Sequence, residues 1–352
     1  MRLAGAVRFL HLVLLAAVLM AGMAGSSLLA RAEGGSVIEE QERRGVEQTF
    51  LTFPEWFLVH SPAEFATEIA RHPAHEFPFA GHIGQLWSSY ASVIGEQLRQ
   101  DYPANPGYHV MIVVIAGSTT LEYGLRWVYE NTVGRLSWAL SSRQLSEEDH
   151  YAAVVAQDYV DFIRQEPWYL YDFGAKLKGL WTTVPALGPD MVRKWERRYA
   201  LSTEYLLKAA YGKLIEKATR ATYTPALMTT RVLVDHLPGE LDVDKVKLLR
   251  RLPDGSAVLD LPRYYDFRVA ATSLAEQGIK LLDIAGNQSV ILVTVWADAD
   301  FKDPHLRVLF EQPLITMPGK KRVALVVPVR DLSEFLLIAP KQGLRVEHVY
   351  DY

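Results

Sequence analysis

The chain has 352 residues, of which 49% are hydrophobic and 22% charged, a composition typical of globular domains that excludes disorder on a large scale. Its 37 basic and 41 acidic residues give a net charge of −4, so no basic excess draws the whole chain to nucleic acid. Because it contains no cysteine, disulfides, thiolate catalysis and cysteine-ligated zinc or iron–sulfur sites are excluded.

The first 32 residues have the pattern of an export signal. Arg2 and Arg8 stand before an apolar run over residues 9–23, and the small-residue motif that ends at Ala32 favours cleavage after that alanine. The alternative is an uncleaved membrane anchor, since residues 9–29 are long enough to span a bilayer. Both interpretations place the protein at the inner membrane or in the periplasm of a bacterial-type envelope.

Residues 33–226 are predicted to form a mainly helical domain. Ser61 stands where a helix cap is expected, with Pro62 in the first turn and Glu64 three residues after the serine. This arrangement satisfies the free backbone amides at a helix start, so the sequence predicts that a helix begins at Ser61.

Two further helices are predicted in the same domain. Ser146 and Asp149 repeat the capping pattern, and Pro167 should end the helix that they begin. The third helix is expected over residues 190–219. Its apolar residues recur at helical spacing at Trp195, Tyr199, Leu206, Ala210 and Leu214.

The stretch "HPAHEFPFAGH" at residues 72–82 carries three of the ten histidines. Pro73 and Pro78 should interrupt a helix here, which leaves His72 and His75 in a loop. His60 and His82 adjoin apolar segments, so they are the better candidates for buried metal ligands.

A second apolar run covers residues 108–127, and it predicts either a membrane-spanning helix or a buried one. Glu122 and Arg126 fall within it, and an unpaired carboxylate in hydrocarbon is costly. Glu122 and Glu130 lie on similar faces of one helix, so they could bind a metal together or act as acid and base. The alternative for Glu122 is an ion pair with Arg126, four residues later.

The sequence therefore nominates four candidate metal ligands, which are His60, His82, Glu122 and Glu130. It names no cofactor. The motifs of the P-loop, the dinucleotide fold, the nucleophile elbow, the kinases and the HExxH metallopeptidases do not occur.

Two other features of the helical domain bear on the membrane. Seven of the eight tryptophans lie between residues 50 and 200, which suits a membrane interface or an aromatic-rich core. The basic run at 193–198 predicts a solvated helix start or a contact with anionic lipid head groups.

Residues 227–352 are predicted to form a small α+β domain, with the boundary at 222–230. The patterns give the order strand, helix, three strands, helix, strand, with Gly286 and Gly343 as helix stop signals. We expect a split βαβ sandwich, of which the ferredoxin-like fold is one form, with a hairpin at 313–319. The sequence shows no repeat of 20–50 residues.

Three functions follow as hypotheses. The first is a non-enzymatic, membrane-associated envelope protein whose helical domain binds lipid, an apolar ligand or a membrane protein. The second is a metal- or cofactor-dependent enzyme that uses the four candidate ligands. The third is a regulatory module whose C-terminal domain senses a small ligand. Nucleic acid is not expected among the partners.

Overall fold

The computed structural model of the chain describes residues 36–219, 228–237, 239 and 241–351. The predicted export segment and most of the predicted domain boundary lie outside these residues. The chain divides into two compact units. Unit 1 contains Glu55–Trp87 and Gly107–Thr224, and unit 2 contains Ser27–Pro54, Ser88–Pro106 and Pro225–Tyr352. Unit 2 thus takes in segments that precede residue 227.

The helices of the N-terminal part are numbered in chain order. They are α1 (Gln48–Ile69), α2 (Phe79–Arg99), α3 (Pro106–Tyr129), α4 (Arg135–Ala139), α5 (Glu147–Ile163), α6 (Phe173–Thr183) and α7 (Met191–Thr219). A single π-helical turn, Glu130–Gly134, joins α3 to α4. Among the described residues, no helix is both long and apolar enough to cross a membrane.

Helix α1 corrects the predicted helix start at Ser61. The helix runs through Ser61 and Pro62 without a break, and Ser61 is 1% exposed. The cap prediction was wrong because Phe57, one turn earlier, is buried, so packing extends the helix upstream of the capping pattern.

The other helix boundaries of unit 1 agree with the sequence. At the start of α5, the Asp149 amide donates to Ser146 Oγ and the Ser146 amide donates to the Asp149 carboxylate, which confirms the predicted capping box. Helix α5 ends at Ile163, before Pro167. The stretch that contains Pro73 and Pro78 is a loop with one short 3-10 turn, Ala74–Glu76, as predicted.

Unit 2 contains two four-stranded antiparallel sheets, which confirms the α+β fold. The first sheet consists of β1 (Thr229–Val234), β2 (Lys247–Arg251), β3 (Ala257–Pro262) and β4 (Leu281–Ile284), with α8 (Tyr265–Glu276) between β3 and β4. The second consists of β5 (Val290–Asp298), β6 (Val308–Pro313), β7 (Lys320–Pro328) and β8 (Arg345–Val349), with α9 (Leu332–Ile338) between β7 and β8.

The two sheets have the same topology. Their strand orders are β2-β3-β1-β4 and β6-β7-β5-β8, and all neighbouring strands are antiparallel. In each, a helix links two parallel strands that flank a third, which is the split βαβ unit that the sequence predicts. The unit occurs twice as βββαβ, an order that differs from the ferredoxin-like βαββαβ. Apolar residues of both sheets and both helices form one core.

The strands β2, β3 and β4 were missed by sequence reasoning. All five residues of β2 are exposed, so the strand has no alternation of apolar and polar residues. The helix that the sequence extends to Gly286 ends at Glu276, where Gly278 adopts a left-handed conformation with φ 80°. Gly343, with φ 76°, ends the last helical turn as predicted.

The N-terminal segments of unit 2 cover the second sheet. The hydroxyl of Thr49 donates to the carbonyl of Tyr350 (2.9 Å) and accepts from the amide of Leu292 (2.9 Å). Phe53 packs edge-on against Phe310 with ring centroids 4.8 Å apart. These contacts join the first turns of α1 to the backbone of β5, to the residue that follows β8 and to a side chain of β6.

Candidate functional site

Helix α7 of unit 1 turns its basic residues inward, together with Leu201 and Tyr205, and exposes a row of apolar side chains. Arg193, Lys194, Arg197 and Arg198 are all no more than 3% exposed. The exposed face carries large apolar side chains that are 42–66% exposed: Val192, Trp195, Tyr199, Leu206, Leu207 and Leu214. The expectation that the basic run is solvated or meets lipid head groups was wrong, because these side chains are sealed inside the unit.

Buried carboxylates of α5 and α7 neutralise Arg193. Its guanidinium donates to Asp149 Oδ1 (2.9 Å) and to Glu196 Oε2 (3.1 Å). Glu196 also accepts hydrogen bonds from Ser137 (2.7 Å) and from the hydroxyl of Tyr129 (2.9 Å). Burial raises the pKa of Glu196, but hydrogen bonds and the positive charges around it outweigh this effect, so the pKa is lowered. The network therefore keeps this carboxylate ionised.

Arg198 is held by one carboxylate and three backbone carbonyls. It donates to Glu148 Oε1 (2.8 Å), and both side chains are no more than 1% exposed. Its other acceptors are the backbone carbonyls of Leu180 (3.1 Å), Val184 (3.0 Å) and Pro185 (3.0 Å). The guanidinium lies 5.1 Å from the ring of Trp181 and 5.9 Å from that of Trp195, which together shield it from solvent.

Glu130 pairs with Arg197 at the π-helical turn. The guanidinium donates to Glu130 Oε1 (2.8 Å) and also to Glu196. Gly134 makes room for this pair, since a Cβ there would lie 2.5 Å from Glu130 Oε2. The π-helical turn and its glycine thus place a carboxylate against the basic face of α7.

A second ion network lies farther along α7. Lys208 Nζ is 3.0 Å from Glu122 Oε1 and 3.0 Å from Glu204 Oε1, and Arg126 contacts both glutamates. The predicted pairing of Glu122 with Arg126 is confirmed, with 3.4 Å between Nε and Oε1. Burial raises the pKa of Glu204, but Arg126 and Lys208 more than offset this and lower it to about 2.

Helix α3 exposes a second apolar face in the same unit. Val110, Val113, Leu121, Leu125 and Val128 are 44–65% exposed. Their spacing of three, four or eight residues places them on one side of the helix. Leu136 and Leu140, just after the π-helical turn, are also exposed. Unit 1 therefore exposes two apolar faces, one on α3 and one on α7.

The structure places the four predicted metal ligands in separate surroundings. Glu122 and Glu130 belong to the two ion networks, and His82 contacts Ser61 and Glu64. His60 is 8% exposed, and its ring lies 6.0 Å from that of Trp56. Within the described part of the chain, no three of the four bring ligand atoms within 4.8 Å of one another. A metal bound jointly by these residues stays a prediction.

His82 belongs to a buried hydrogen-bond cluster that sequence reasoning did not foresee. Ser61 Oγ lies 2.9 Å from His82 Nδ1 and 2.7 Å from the Tyr123 hydroxyl, while His82 Nε2 lies 3.6 Å from Glu64 Oε2. A serine, a histidine and a carboxylate in contact are the components of a hydrolytic triad. All four side chains are no more than 7% exposed, so the cluster links α1, α2 and α3 and does not present a nucleophile to solvent.

Comparison of the chain with models of protein families, with curated proteins and with solved structures found no significant match. The assignment of a candidate site therefore rests on the geometry of unit 1 alone.

Sequence reasoning found the amphipathic pattern of α7 but assigned its charges to the wrong environment. The sequence carries one hint of the pairing, which is charge complementarity. Three acidic residues at 147–149 follow the cap of α5, and four basic residues occupy 193–198 on α7. Two such runs of opposite sign can pair in an interior as well as on a surface, and the sequence alone does not distinguish these outcomes.

Proposed function

We propose that this chain is a membrane-associated, non-enzymatic envelope protein whose helical unit binds lipid through the exposed apolar faces of α3 and α7. The observation that carries the proposal is the inverted polarity of α7. In a water-soluble unit the apolar side of such a helix faces the core and the charged side faces water. Here the charged side is buried and paired, and the apolar side is the one available for contact.

The chemistry of the exposed face favours a membrane. Trp195, Tyr199 and Trp181 are 44–66% exposed and lie beside exposed leucine and valine side chains. Tryptophan and tyrosine accumulate where an apolar phase meets water, because their rings are apolar and their edges are polar. Contiguous exposed apolar surface of this kind marks sites of protein or membrane interaction.

The export-type segment at the N-terminus supports the same proposal. A positively charged start, a long apolar run and a small-residue cleavage motif direct a chain to the inner membrane or the periplasm. A lipid-binding unit would meet its ligand in that location. An enzyme or a small-ligand sensor, the other two functions that the sequence admits, stay predictions.

A vesicle flotation assay tests the proposal on the chain that begins at Glu33, the product of the predicted cleavage. The variant Leu206→Glu/Leu207→Glu removes two side chains that are 59% and 64% exposed. Transfer of a fully exposed leucine out of water contributes about 2 kcal/mol, so two side chains at this exposure contribute ~2.5 kcal/mol. We therefore expect binding to fall about 60-fold.

Leu98→Glu is the matched control, because Leu98 is 79% exposed, lies in unit 2 and belongs to neither apolar face. It should bind vesicles like the wild type. The proposal fails if the wild-type chain does not float with vesicles or if both variants lose binding equally. Binding to native membranes but not to protein-free vesicles would identify a membrane protein, and not lipid, as the partner.

A further inference from the structure

Three side chains of types that can bind metals lie close together at the end of α1 in unit 1. They belong neither to the ion networks nor to the buried histidine cluster. Glu68 lies in the last turn of α1, His72 follows the helix, and Glu76 lies in the 3-10 turn Ala74–Glu76. His72 Nδ1 is 3.0 Å from Glu68 Oε1 and 3.5 Å from Glu76 Oε2. One ligand atom from each residue lies within 4.8 Å of the other two.

Among the described residues, His72 is the one ion-pair partner that the two carboxylates of this group have. A single imidazole nitrogen carries at most one proton, so it can donate to one carboxylate at a time, yet two carboxylates approach it. In the part of the chain that the structure describes, neither Glu68 nor Glu76 has an arginine or lysine within ion-pair distance. Two neighbouring carboxylates repel each other unless a cation, either a protonated imidazole or a metal ion, lies between them.

The backbone holds the three residues in place. The His72 amide donates to the carbonyl of Glu68 (2.9 Å), and the Glu76 amide donates to that of Pro73 (2.9 Å). Pro73 is buried, and its ring restricts the backbone between His72 and Glu76. Phe77 follows directly and is 2% exposed, in contact with the aromatic cluster of unit 1. The side chains are thus presented to solvent from a fixed turn.

We propose that Glu68, His72 and Glu76 bind one divalent transition-metal ion. Metal–ligand bonds of about 2.1 Å place neighbouring ligand atoms about 3.0 Å apart in an octahedron and about 3.4 Å apart in a tetrahedron. The Nδ1–Oε1 separation of 3.0 Å is close to the octahedral value, and the Nδ1–Oε2 separation of 3.5 Å is close to the tetrahedral value. The imidazole selects for zinc and its neighbours in the first transition series over magnesium and calcium, which prefer oxygen ligands alone.

Three protein ligands leave at least one coordination position for water. His72 and Glu76 are half-exposed, so the ion would be reached directly from solvent. The site is independent of the apolar faces on α3 and α7, and its failure would leave the proposed lipid binding untouched.

Isothermal titration of the untagged full-length chain in detergent with zinc chloride tests this site. We expect one ion per chain in the wild type. His72→Ala and Glu76→Gln should each weaken binding by more than about 10-fold, the loss that removal of even an outer-shell partner causes. Cobalt binding, followed by its visible absorption, reports on the same ligands, and the absorption should change in the His72 variant.

His236→Ala is the matched control, since His236 is as exposed as His72 and pairs with one carboxylate, that of Asp235 (2.8 Å). It should bind zinc like the wild type, and all variants should keep the wild-type circular dichroism. The proposal is overturned if the wild type binds no stoichiometric zinc. Equal losses in the His72 and His236 variants would also overturn it, because they would show adventitious binding to surface histidines.

Discussion

Replacement of Glu148 with alanine removes the carboxylate that pairs with a fully buried arginine. In the wild type, Arg198 donates to Glu148 Oε1 at 2.8 Å, and neither side chain has more than 1% of its surface exposed. The substitution leaves the guanidinium inside unit 1 with three backbone carbonyls and no negative charge on Glu148 to offset its own. Unit 1 should therefore lose stability.

The expected loss is large because water does not reach the pair. Removal of one partner of a buried ion pair costs about 3–5 kcal/mol, since the remaining charge stays desolvated. For a unit of this size, each kcal/mol lowers the melting temperature by about 2–4 °C, so the variant should melt about 6–20 °C below the wild type.

Glu147→Ala provides the control for this substitution. Glu147 is the neighbouring acidic residue and pairs with Lys194, but its side chain is 57% exposed. Because Glu147 is exposed and Lys194 Nζ keeps Glu148 Oε2 at 3.4 Å, the loss should be as small as that of a surface pair, about 0–1 kcal/mol, and the variant should melt within about 4 °C of the wild type. Thermal unfolding followed by far-UV circular dichroism measures both. If Glu148→Ala melts no lower than Glu147→Ala, the buried network does not stabilise unit 1 and the inverted polarity of α7 needs another explanation.

Two further predictions concern the second ion network and unit 2. Because the charges of Arg126 and Lys208 lower the pKa of Glu204 from 4.5 to about 2, the stability that its carboxylate contributes is present above pH 4.5 and is lost as the pH falls towards 2. Urea unfolding across this range should show the gap between wild type and Glu204→Gln closing with acid, and a constant gap would contradict the assignment. Thr49→Val leaves two backbone groups of the second sheet without their partner and should cost about 2–4 kcal/mol, measured by the same urea titration. Thr67→Val, on an exposed turn of α1, should be neutral, and equal effects of the two substitutions would refute the role of Thr49.

The two βββαβ sets of unit 2 bury their apolar residues in one shared core. A four-stranded sheet with one helix can bury only one side of each strand against that helix. In unit 2 the two βββαβ sets contribute to a single core, and Thr49 and Phe53 of α1 contact the second sheet at β5 and β6. The two sets share strand order without sharing a repeated sequence, since the order depends on which strands pair and not on residue identity.

Local patterns predicted several features of the fold correctly. The capping box of Ser146 and Asp149, the loop imposed by Pro73 and Pro78, and the helix stop at Gly343 all depend on residues within a few positions of one another. The α+β character of the C-terminal part also followed from short-range alternation. The strand β2 was missed because its residues are all exposed and thus carry no burial pattern.

In the candidate site, local patterns predicted contacts between residues close in sequence but not contacts between distant ones. The sequence identified Glu122 with Arg126 as an i, i+4 pair, and this pair exists. It gave no reason to place Glu130 against Arg197, because these residues are 67 positions apart and meet only when α3 and α7 pack.

The sequence by itself determined the mainly helical character of the N-terminal part, the split βαβ character of the C-terminal part and the amphipathic pattern of α7. Only the tertiary structure decided which side of α7 faces inward. An amphipathic period fixes the angle between the charged and apolar faces, but burial of the charged face becomes possible only when distant carboxylates neutralise it. Glu148 and Asp149 do so from α5, a helix that the chain reaches more than 40 residues earlier.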